Sequence, residues 1–384
     1  MKGGIFIFKC PLCGNEDEKF IGYRKGVPYC RRCISFRGEE ALDIYSKSTN
    51  GFLYVPYKLT DEQNRVSNQV LENYKNGLDT LIYAVCGAGK TELVYKVMEY
   101  CLAKKMNVGF AIARRDVVIE LSERLKQAFK NYKVVSLYGG HTSELEGDII
   151  CLTTHQLYRF EKYFDLLIID EIDAFPFNGN FALEAFFHRS VRGHYVMMSA
   201  TPSKERIEEF KGKGKAIVNL FKRHHGKPIP VPKFFIAPKF VTYFYLVYKV
   251  REIIKNNLPL LVFAPTIEEC ENLYVFLNIF AKGGYFVHSK CKDRSKIIED
   301  FRENKYKYLV TTAVLERGVT LRNLQVIIFN ASSFIYTSEA LVQISGRVGR
   351  VKDATDGEVI FIAERKTKYI TEARQTIIDA NKSL

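Results

Sequence analysis

Residues 81–96 read LIYAVCGAGKTELVYK, and this stretch decides the fold. Its apolar start predicts a buried strand, and the residues from Thr91 onward carry apolar side chains at helical spacing. Between the two, Gly87, Ala88 and Gly89 allow the backbone to turn its N–H groups toward an anion at the positive end of the helix. A strand, a glycine-rich turn and a helix in this order predict a phosphate-binding loop in an α/β domain.

Lys90 and Thr91 supply the side chains that such a loop needs. We expect Lys90 to reach the β- and γ-phosphates of ATP and the Thr91 hydroxyl to bind Mg²⁺. Ala84 stands where the strict pattern G-x-x-x-x-G-K-[ST] has its first glycine, so a glycine-rich turn with an unrelated lysine is the alternative. The flanking strand and helix favour the nucleotide site.

Apolar runs alternate with helical patterns in two blocks, which predicts parallel βαβ units. The predicted strands are LIYAVC (81–86), VGFAIA (108–113), DIICLT (148–153), DLLIID (165–170), YVMMSA (195–200), LPLLVFAP (258–265), KYLVTTA (307–313), LQVIIFN (324–330) and EVIFIA (358–363). The segment KPIPVPKFFIAP (227–238) separates the blocks, and its prolines exclude a helix and predict a stiff linker.

Length, charge and hydropathy limit the number of domains, the kind of binding partner and the location of the protein. The chain has 384 residues, which allows two or three domains. Its net charge of +14 favours a polyanionic partner. The apolar runs are far shorter than the ~20 residues that a membrane-spanning helix needs. The N-terminus lacks the apolar segment of a signal peptide, so we expect a cytosolic protein.

The sequence DLLIIDEIDAF (165–175) places four residues, DEID, directly after a predicted buried strand. We expect Asp170 to hold Mg²⁺, because a hard cation prefers oxygen ligands. Glu171 would orient and deprotonate the attacking water. A solvated carboxylate cluster at a strand end is the alternative, and the phosphate loop upstream argues against it. The short segment SAT (199–201) follows the next predicted strand.

The sequence QISGRVGR (343–350) spaces two arginines by three residues. Such a pair suits the recognition of one triphosphate by two guanidinium groups. We expect Arg347 and Arg350 to act as arginine fingers, supplied by the second block to a γ-phosphate held by the first, and Gln343 to contact the site or the water. Binding to a nucleic-acid backbone or helix capping is the alternative.

Cys10, Cys13, Cys30 and Cys33 form two C-x-x-C pairs separated by 16 residues, which is the spacing of zinc ribbons. Four thiolates bind Zn²⁺ tetrahedrally, and the metal would hold together a segment too short for its own core. A redox C-x-x-C is the alternative. Basic residues surround the cysteines, and we hypothesise that this block binds DNA or a protein partner, a solvated surface being the alternative. They are Lys9, Lys19, Arg24, Lys25, Arg31, Arg32 and Arg37.

Together these motifs resemble those of superfamily 2 helicases, in the same order, over about residues 55–365. The resemblance implies that Gln63 of LTDEQ (59–63) reads adenine. It further implies that Arg317 and Gly318 lie near the cleft between the lobes. The remaining matching segments are ARRDVV (113–118) and TTHQLYRF (153–160), which would contact the sugar–phosphate track, and LVFAPT (261–266), VHSKCKDR (287–294) and TTAVLERGVTL (311–321).

The segments DEIDAFPF, TTHQLYRF and ISGRVGR, behind a four-cysteine domain, resemble the ComFA family of late competence proteins of Gram-positive bacteria. That resemblance implies a single-stranded-DNA-stimulated ATPase and translocase that drives DNA uptake in natural transformation. It implies a place at the cytosolic face of the membrane, with the competence proteins ComEC, ComFC and DprA as partners. ATP, Mg²⁺ and Zn²⁺ are the expected cofactors.

The predicted fold class is α/β, with two tandem RecA-like parallel-sheet lobes behind a small four-cysteine zinc domain. The predicted limits are a zinc-binding domain at 1–50, lobe 1 at 51–226, a proline-rich linker at 227–238 and lobe 2 at 239–384. Two other functions stay open at this point. One is a duplex-unwinding DNA or RNA helicase, and the other is a nucleic-acid-binding scaffold whose ATPase activity has been lost.

Overall fold

The computed structural model describes residues 8–85, 87–173, 176–223, 226–312, 321–351, 354 and 357–382. The chain divides into two compact units. Unit 1 comprises Met1–Ala84 and Gly89–Leu220, and unit 2 comprises Val85–Ala88 and Phe221–Leu384. Each unit is built around its own parallel sheet.

Among the residues that the structure describes, unit 1 contains eleven strands and six helices, with two short 3-10 helices at Glu18–Phe20 and Thr154–Arg159. The strands are β1 (Ile21–Arg24), β2 (Val27–Cys30), β3 (Phe52–Leu53), β4 (Asp79–Ala84), β5 (Val108–Ile112), β6 (Phe129–Lys130), β7 (Val134–Leu137), β8 (Ile149–Thr153), β9 (Phe164–Asp170), β10 (Val191–Ser199) and β11 (Lys215–Leu220). The helices are α1 (Asp61–Lys75), α2 (Lys90–Leu93), α3 (Tyr95–Ala103), α4 (Arg115–Ala128), α5 (Phe181–Ser190) and α6 (Lys204–Glu209).

Seven strands of unit 1 form one sheet in the order β11-β4-β10-β9-β5-β8-β7, and every neighbouring pair is parallel. The central strands are buried along their length, as all five residues of β5 and of β8 are. A parallel sheet covered by helices on both faces accounts for such continuous apolar runs. The pairs β1–β2 and β3–β6 are antiparallel and lie outside this sheet.

The described part of unit 2 repeats the plan with six parallel strands in the order β12-β17-β16-β13-β15-β14. Its elements are β12 (Lys233–Ile236), α7 (Lys239–Lys255), β13 (Leu260–Phe263), α8 (Ile267–Phe280), β14 (Gly284–Val287), α9 (Arg294–Arg302), β15 (Tyr308–Thr311), β16 (Gln325–Ile328), α10 (Ser338–Ser345), β17 (Val359–Ala363) and α11 (Lys368–Lys382). In the described part of the chain, none of the helices combines the length and the apolar character that crossing a bilayer requires.

The four-cysteine segment of unit 1, residues 8–40, is called the cysteine module below. It packs against the large sheet's helices through Phe36, whose ring lies 4.8 Å from that of Phe186 and 5.6 Å from that of Tyr158. All four cysteines belong to the same buried cluster as these residues. The module is therefore fixed to the body of unit 1 by an aromatic core contact.

The predicted α/β fold with two parallel-sheet lobes is confirmed. Each predicted strand is present, within a few residues of its predicted limits. Residues 233–236 of the predicted linker form β12, which pairs with β17 at the edge of the second sheet. The adjoining Pro232 and Pro238 are compatible with an edge strand, where fewer N–H donors are needed. The domain limits stay a prediction.

Candidate nucleotide and nucleic-acid site

Three motifs that are far apart in the sequence meet at one edge of the large sheet. The phosphate loop follows β4, DEID begins at the last residue of β9 and SAT begins at the last residue of β10. In the sheet β10 lies between β4 and β9, with Ser199 opposite Tyr83 and Met198 opposite Asp170. Because all three strands run parallel, their carboxyl ends lie together, which is where ligands bind in open α/β sheets.

The phosphate loop depends on two glycines with left-handed backbone angles. The φ angles are 83° at Gly87 and 77° at Gly89, and the second glycine directly precedes α2. A Cβ atom on Gly89 would come within 2.6 Å of Nε2 of Gln63. Lys90 and Thr91 open α2 and are half-buried. Gly87 and Gly89 therefore have the left-handed backbone that a tight turn before a helix allows, while phosphate binding and the roles of the side chains stay predictions.

Gln63 is held in one orientation by the start of α1. Thr60 is the N-cap, and its hydroxyl accepts the backbone N–H of Gln63. In return Oε1 of Gln63 accepts the backbone N–H of Thr60 at 3.0 Å. This reciprocal arrangement is a capping box. It leaves the amide nitrogen of Gln63 beside Gly89, so the predicted adenine reader lies next to the phosphate loop.

Glu92, which the sequence reasoning missed, lies directly after the loop and is buried. It accepts hydrogen bonds from the hydroxyl of Tyr57 at 3.0 Å and from Arg124 at 2.7 Å. Burial, together with the charge and hydrogen bond of Glu92, raises the pKa of Tyr57 to about 12. A cavity of about 390 Å³ adjoins this cluster. It is lined by Tyr54, Val55, Pro56, Tyr57, Tyr95, Arg124, Gln127, Ala128 and Lys130.

The backbone at Glu171 has a φ of 62°, which is left-handed and rare for a residue with a side chain. Its N–H donates to Oδ1 of Asp170 at 2.8 Å and to the carbonyl of Met198 at 3.0 Å. A left-handed residue costs about 1–2 kcal/mol, and such strain is characteristic of functional sites. The left-handed residue turns the chain at the carboxyl end of β9. The phosphate loop begins at the same edge of the sheet, at the carboxyl end of β4.

Asp173, the last residue of DEID, is a second residue that sequence reasoning did not assign. Its two carboxylate oxygens accept the hydroxyls of Ser199 and Thr201, each at 2.8 Å. The N–H of Thr201 donates to Oγ of Ser199 at 2.9 Å. The sequence signal that could have indicated this role is the pair of hydroxyls in SAT, because two donors near a buried strand need an acceptor. DEID and SAT are thus one hydrogen-bonded unit.

The two segments predicted to contact the sugar–phosphate track also lie at this edge. The segment 113–118 follows β5, and 153–160 begins at the end of β8, the neighbour of β5. Arg159 of the second segment is buried, and its guanidinium donates to Oε1 of Gln156 at 2.7 Å and to the carbonyl of Glu39 at 2.8 Å. The guanidinium of Arg159 therefore binds the backbone of the cysteine module, and it is not exposed for contact with a nucleic-acid phosphate.

The motif QISGRVGR lies in unit 2, at the end of α10. Gln343 and Arg347 are buried, and Nε of Arg350 donates to the carbonyl of Gly346 at 2.9 Å. Lys90 belongs to unit 1, so joint action of these arginines with Lys90 on one nucleotide stays a prediction. Arg317 and Gly318 lie outside the described residues.

Arg223 supports this motif from a distant position in the sequence. Its guanidinium donates to the carbonyls of Val348, Gly349 and Gly346 at 2.9, 3.0 and 3.1 Å. Three carbonyls around one buried guanidinium hold the turn after α10 in a single shape. Nothing in the sequence around Arg223 indicated this role.

The four predicted zinc ligands come together. The Sγ atoms of Cys10, Cys13, Cys30 and Cys33 all lie within 4.8 Å of one another, and Cys13 and Cys30 are 3.7 Å apart. A tetrahedral site with Zn–S bonds of about 2.3 Å needs sulfur atoms roughly 3.8 Å apart. The arrangement thus fits a zinc ion, and the redox alternative is not favoured because four thiols, not two, converge.

The thiols of Cys13 and Cys33 are hard to ionise without a cation, whereas at Cys10 burial is outweighed by hydrogen bonds from the backbone of Cys13 and Leu12, which lower the pKa. Burial, with smaller effects from the neighbouring thiols, raises the pKa of Cys13 to about 11 and raises the pKa of Cys33 further. A divalent cation reverses this preference, because it binds the thiolate and releases the proton. The cluster could therefore hold zinc, and Cys13 and Cys33 are poorly suited to remain as free thiolates.

Comparison with known protein families identifies both halves of the chain. Residues 56–204 match the family described as type III restriction enzyme, res subunit. Residues 246–352 match the helicase conserved C-terminal domain. Both are domains of helicase-type ATPases, which bind ATP with Mg²⁺.

Solved structures share the fold. Dbp5 of S. cerevisiae bound to RNA and ADP BeF3 superimposes with a TM-score of 0.64 over 85% of this chain and 88% of that chain, at 15% identity. RecG bound to a three-way DNA junction gives a TM-score of 0.57 over 85% of this chain and 45% of that chain, at 19% identity. At such identities the likeness concerns the fold alone.

Two curated relatives are similar over nearly the whole chain. Competence protein ComFA of Bacillus subtilis is 33% identical over 97% of this chain and 86% of its own length. Competence protein ComFA of Streptococcus pneumoniae is 33% identical over 99% of this chain and 91% of its own length. With this similarity, the two helicase-type domains and the four converging cysteines, the chain belongs to the ComFA family of competence proteins.

Proposed function

We propose that this protein is an ATP-driven translocase that moves single-stranded DNA during DNA uptake. One observation carries the proposal: the phosphate loop, DEID and SAT lie at the carboxyl ends of the adjacent strands β4, β9 and β10. The segments assigned to the nucleic-acid track lie at the same edge, after β5 and β8. Family membership among competence proteins supports DNA uptake as the process.

Each residue at this edge has a proposed role. Lys90 binds the β- and γ-phosphates, and Glu171 accepts a proton from the attacking water. Thr91 and Asp170 would hold Mg²⁺, which neutralises charge on the phosphate oxygens when bound. Asp173 transmits changes at DEID to SAT through its two hydrogen bonds.

In unit 2, the proposed role of Arg347 and Arg350 is to stabilise charge on the γ-phosphate, while Gln343 contacts the attacking water. Fold and family support these three assignments.

Steady-state ATPase activity with single-stranded DNA, duplex DNA and RNA tests the proposal. We expect single-stranded DNA to stimulate turnover most. Glu171→Gln should lower stimulated turnover at least about 100-fold, as loss of a general base does, and Lys90→Ala should lower it by a similar factor because it removes the cation that binds the phosphates. Lys104→Ala and Glu205→Gln are the matched controls, because both side chains are exposed and lie outside the site. Stimulation by RNA alone, or full turnover in Lys90→Ala, would contradict the proposal.

Duplex unwinding is the second candidate. It is favoured by the similarity to ATP-dependent DNA helicase RecG of Staphylococcus epidermidis, 26% identical over 84% of this chain and 50% of its own length. A strand-displacement assay on forked duplexes separates the two. Release of the displaced strand at a rate that matches ATP turnover would favour unwinding over translocation.

Partners and location follow from the family resemblance. We propose that the protein acts at the cytosolic face of the membrane with ComEC, ComFC and DprA, and that one zinc ion holds its cysteine module together. Co-purification of the tagged full chain from competent cells, with metal analysis of the product, tests both statements.

A further inference from the structure

The β1–β2 hairpin of the cysteine module presents an exposed aromatic ring beside exposed cations. Tyr23 is 71% exposed and lies two residues before the turn, which is formed by Lys25 and Gly26 with φ angles of 50° and 78°. Two positive φ angles in a two-residue loop define a tight hairpin turn. Arg24 and Lys25 at this tip are also exposed.

The hairpin and the residues that follow it carry charge of one sign, while Glu16, Asp17 and Glu18 precede the hairpin at its base. Residues 19–37 contain six basic residues and no aspartate or glutamate. The guanidinium of Arg32 is engaged in the module, at 3.8 Å from the ring centre of Phe20 and 4.6 Å from that of Phe181 on α5. The tip residues Arg24 and Lys25 lie at the far end of the hairpin from that contact, so their charge faces solvent.

The hairpin is packed internally, and the module that carries it is attached to unit 1. On one face the ring of Tyr29 lies across Gly22, where any side chain would collide with it. Tyr23 belongs to the opposite face, because residues alternate along a strand. The rest of the module is anchored through the hydroxyl of Tyr158, which donates to the carbonyl of Arg37 at 2.7 Å.

The anchor Tyr158 lies near the end of the 3-10 helix Thr154–Arg159, in the connection that leads from β8 to β9. At the base of the hairpin, Arg32 contacts Phe181, the first residue of α5, which follows DEID in the chain. This contact places the hairpin on the side of unit 1 to which the chain leads from the ATPase motif DEID. An exposed ring on which a base can stack, with cations for the neighbouring phosphates, is the recognition chemistry of single-stranded nucleic acid. A duplex hides its base faces and would not use the ring.

We propose that the hairpin tip is a binding site for single-stranded nucleic acid, in which Tyr23 stacks on a base and Arg24 and Lys25 contact phosphates. This site extends the track of the proposed translocase and rests on that function. It adds a contact with the nucleic acid outside the two parallel sheets, on the cysteine module that the proposed zinc ion would hold together.

Fluorescence anisotropy of the zinc-loaded full chain with a labelled oligothymidylate, over a series of salt concentrations, tests the site. We expect Tyr23→Ala to weaken binding about 5- to 150-fold, as loss of one stacked base does, and Tyr23→Phe to bind like the parent. The double variant Arg24→Ala/Lys25→Ala should lower the slope of log Kd against log salt by about 1.4, since each phosphate contact on a single strand contributes about 0.7.

Two controls match these changes. Tyr248→Ala removes a ring from α7 that is 61% exposed, and Lys211→Ala/Lys213→Ala removes two exposed charges at the amino-terminal edge of the sheet. Zinc content and basal ATPase activity should be unchanged in every variant, which shows that the module is intact. Unchanged affinity in Tyr23→Ala, or an equal loss in Tyr248→Ala, would overturn the proposal.

The test of the hairpin site can fail without contradicting the proposed translocase function. A parent protein whose ATPase activity ignores single-stranded DNA would contradict the proposed function. A parent that is stimulated by single-stranded DNA, with hairpin variants of unchanged affinity and salt dependence, would refute only the hairpin site. In that case the exposed tip would serve a protein or a membrane surface.

Discussion

Oδ1 of Asp173 accepts the hydroxyl of Ser199 at 2.8 Å, which joins the end of DEID to SAT across two adjacent strands. Ser199 is fully buried, so its hydroxyl has no solvent as a substitute partner. Loss of the acceptor would leave a buried donor unsatisfied, which costs about 1–3 kcal/mol. This contact therefore makes a measurable contribution to stability as well as a proposed one to coupling.

For Asp173→Ala we expect a loss of about 1–3 kcal/mol in the free energy of unfolding of unit 1, measured by urea denaturation. Asp173→Asn retains one acceptor oxygen and should lose less. We also expect single-stranded-DNA stimulation of ATPase activity to fall more than nucleotide affinity does. Equal stability of parent and Asp173→Ala would argue against the contact.

Gly89→Ala should weaken ATP binding at least about tenfold. A left-handed backbone costs about 1–2 kcal/mol for a residue with a Cβ atom, and here that atom would also meet Gln63 at 2.6 Å. Titration with a fluorescent ATP analogue measures the change. Gly139→Ala is the control, because a Cβ atom at that position meets nothing within 4 Å. Similar losses in both variants would show that the effect is not local.

Removal of zinc should unfold the cysteine module while the two sheets remain. The metal would supply most of the stability of this segment, because it has few apolar residues of its own. We expect the purified protein to hold about one zinc ion per chain, and Cys13→Ser to hold almost none. Elemental analysis and limited proteolysis measure both effects, with Cys291→Ser as the control. Full zinc content in Cys13→Ser would refute the site.

Acidification should loosen the contact between the cysteine module and unit 1 through His155. Burial lowers the pKa of His155, whose ring stacks on that of Phe36 at 6.2 Å. Since the unfolded imidazole has a pKa of about 6.5, the unfolded state binds the proton more readily, and stability falls as the pH drops through that value. Thermal unfolding at about pH 7.5 and pH 6 measures this slope.

In His155→Gln the fall in stability between the two pH values should be smaller than in the parent. His141→Gln, which changes an exposed ring in unit 1, should keep the slope of the parent. An identical pH dependence in all three proteins would exclude His155 as the cause. Zinc must stay saturating throughout, so that loss of the metal does not contribute.

The sequence alone was enough to predict the short motifs and the chemistry of their side chains. The phosphate loop, the acidic strand end and the paired cysteines are each encoded within a few residues, because turn geometry and ligand type depend on the residues themselves. The α/β class and the strand positions followed from apolar periodicity for the same reason. The Arg347 and Arg350 motif was equally visible, although its action on a nucleotide stays a prediction.

Only the tertiary structure decided which of these motifs lie next to one another. The apolar strands look alike in sequence, so nothing local selects the order in which β10 lies between β4 and β9. Strand order is set by packing across the whole sheet, and with it come the Asp173–Ser199 contact, the place of Gln63 beside Gly89 and the attachment of the cysteine module through Arg159. Long-range contacts of this kind depend on the shape of the assembled core, which no single segment encodes.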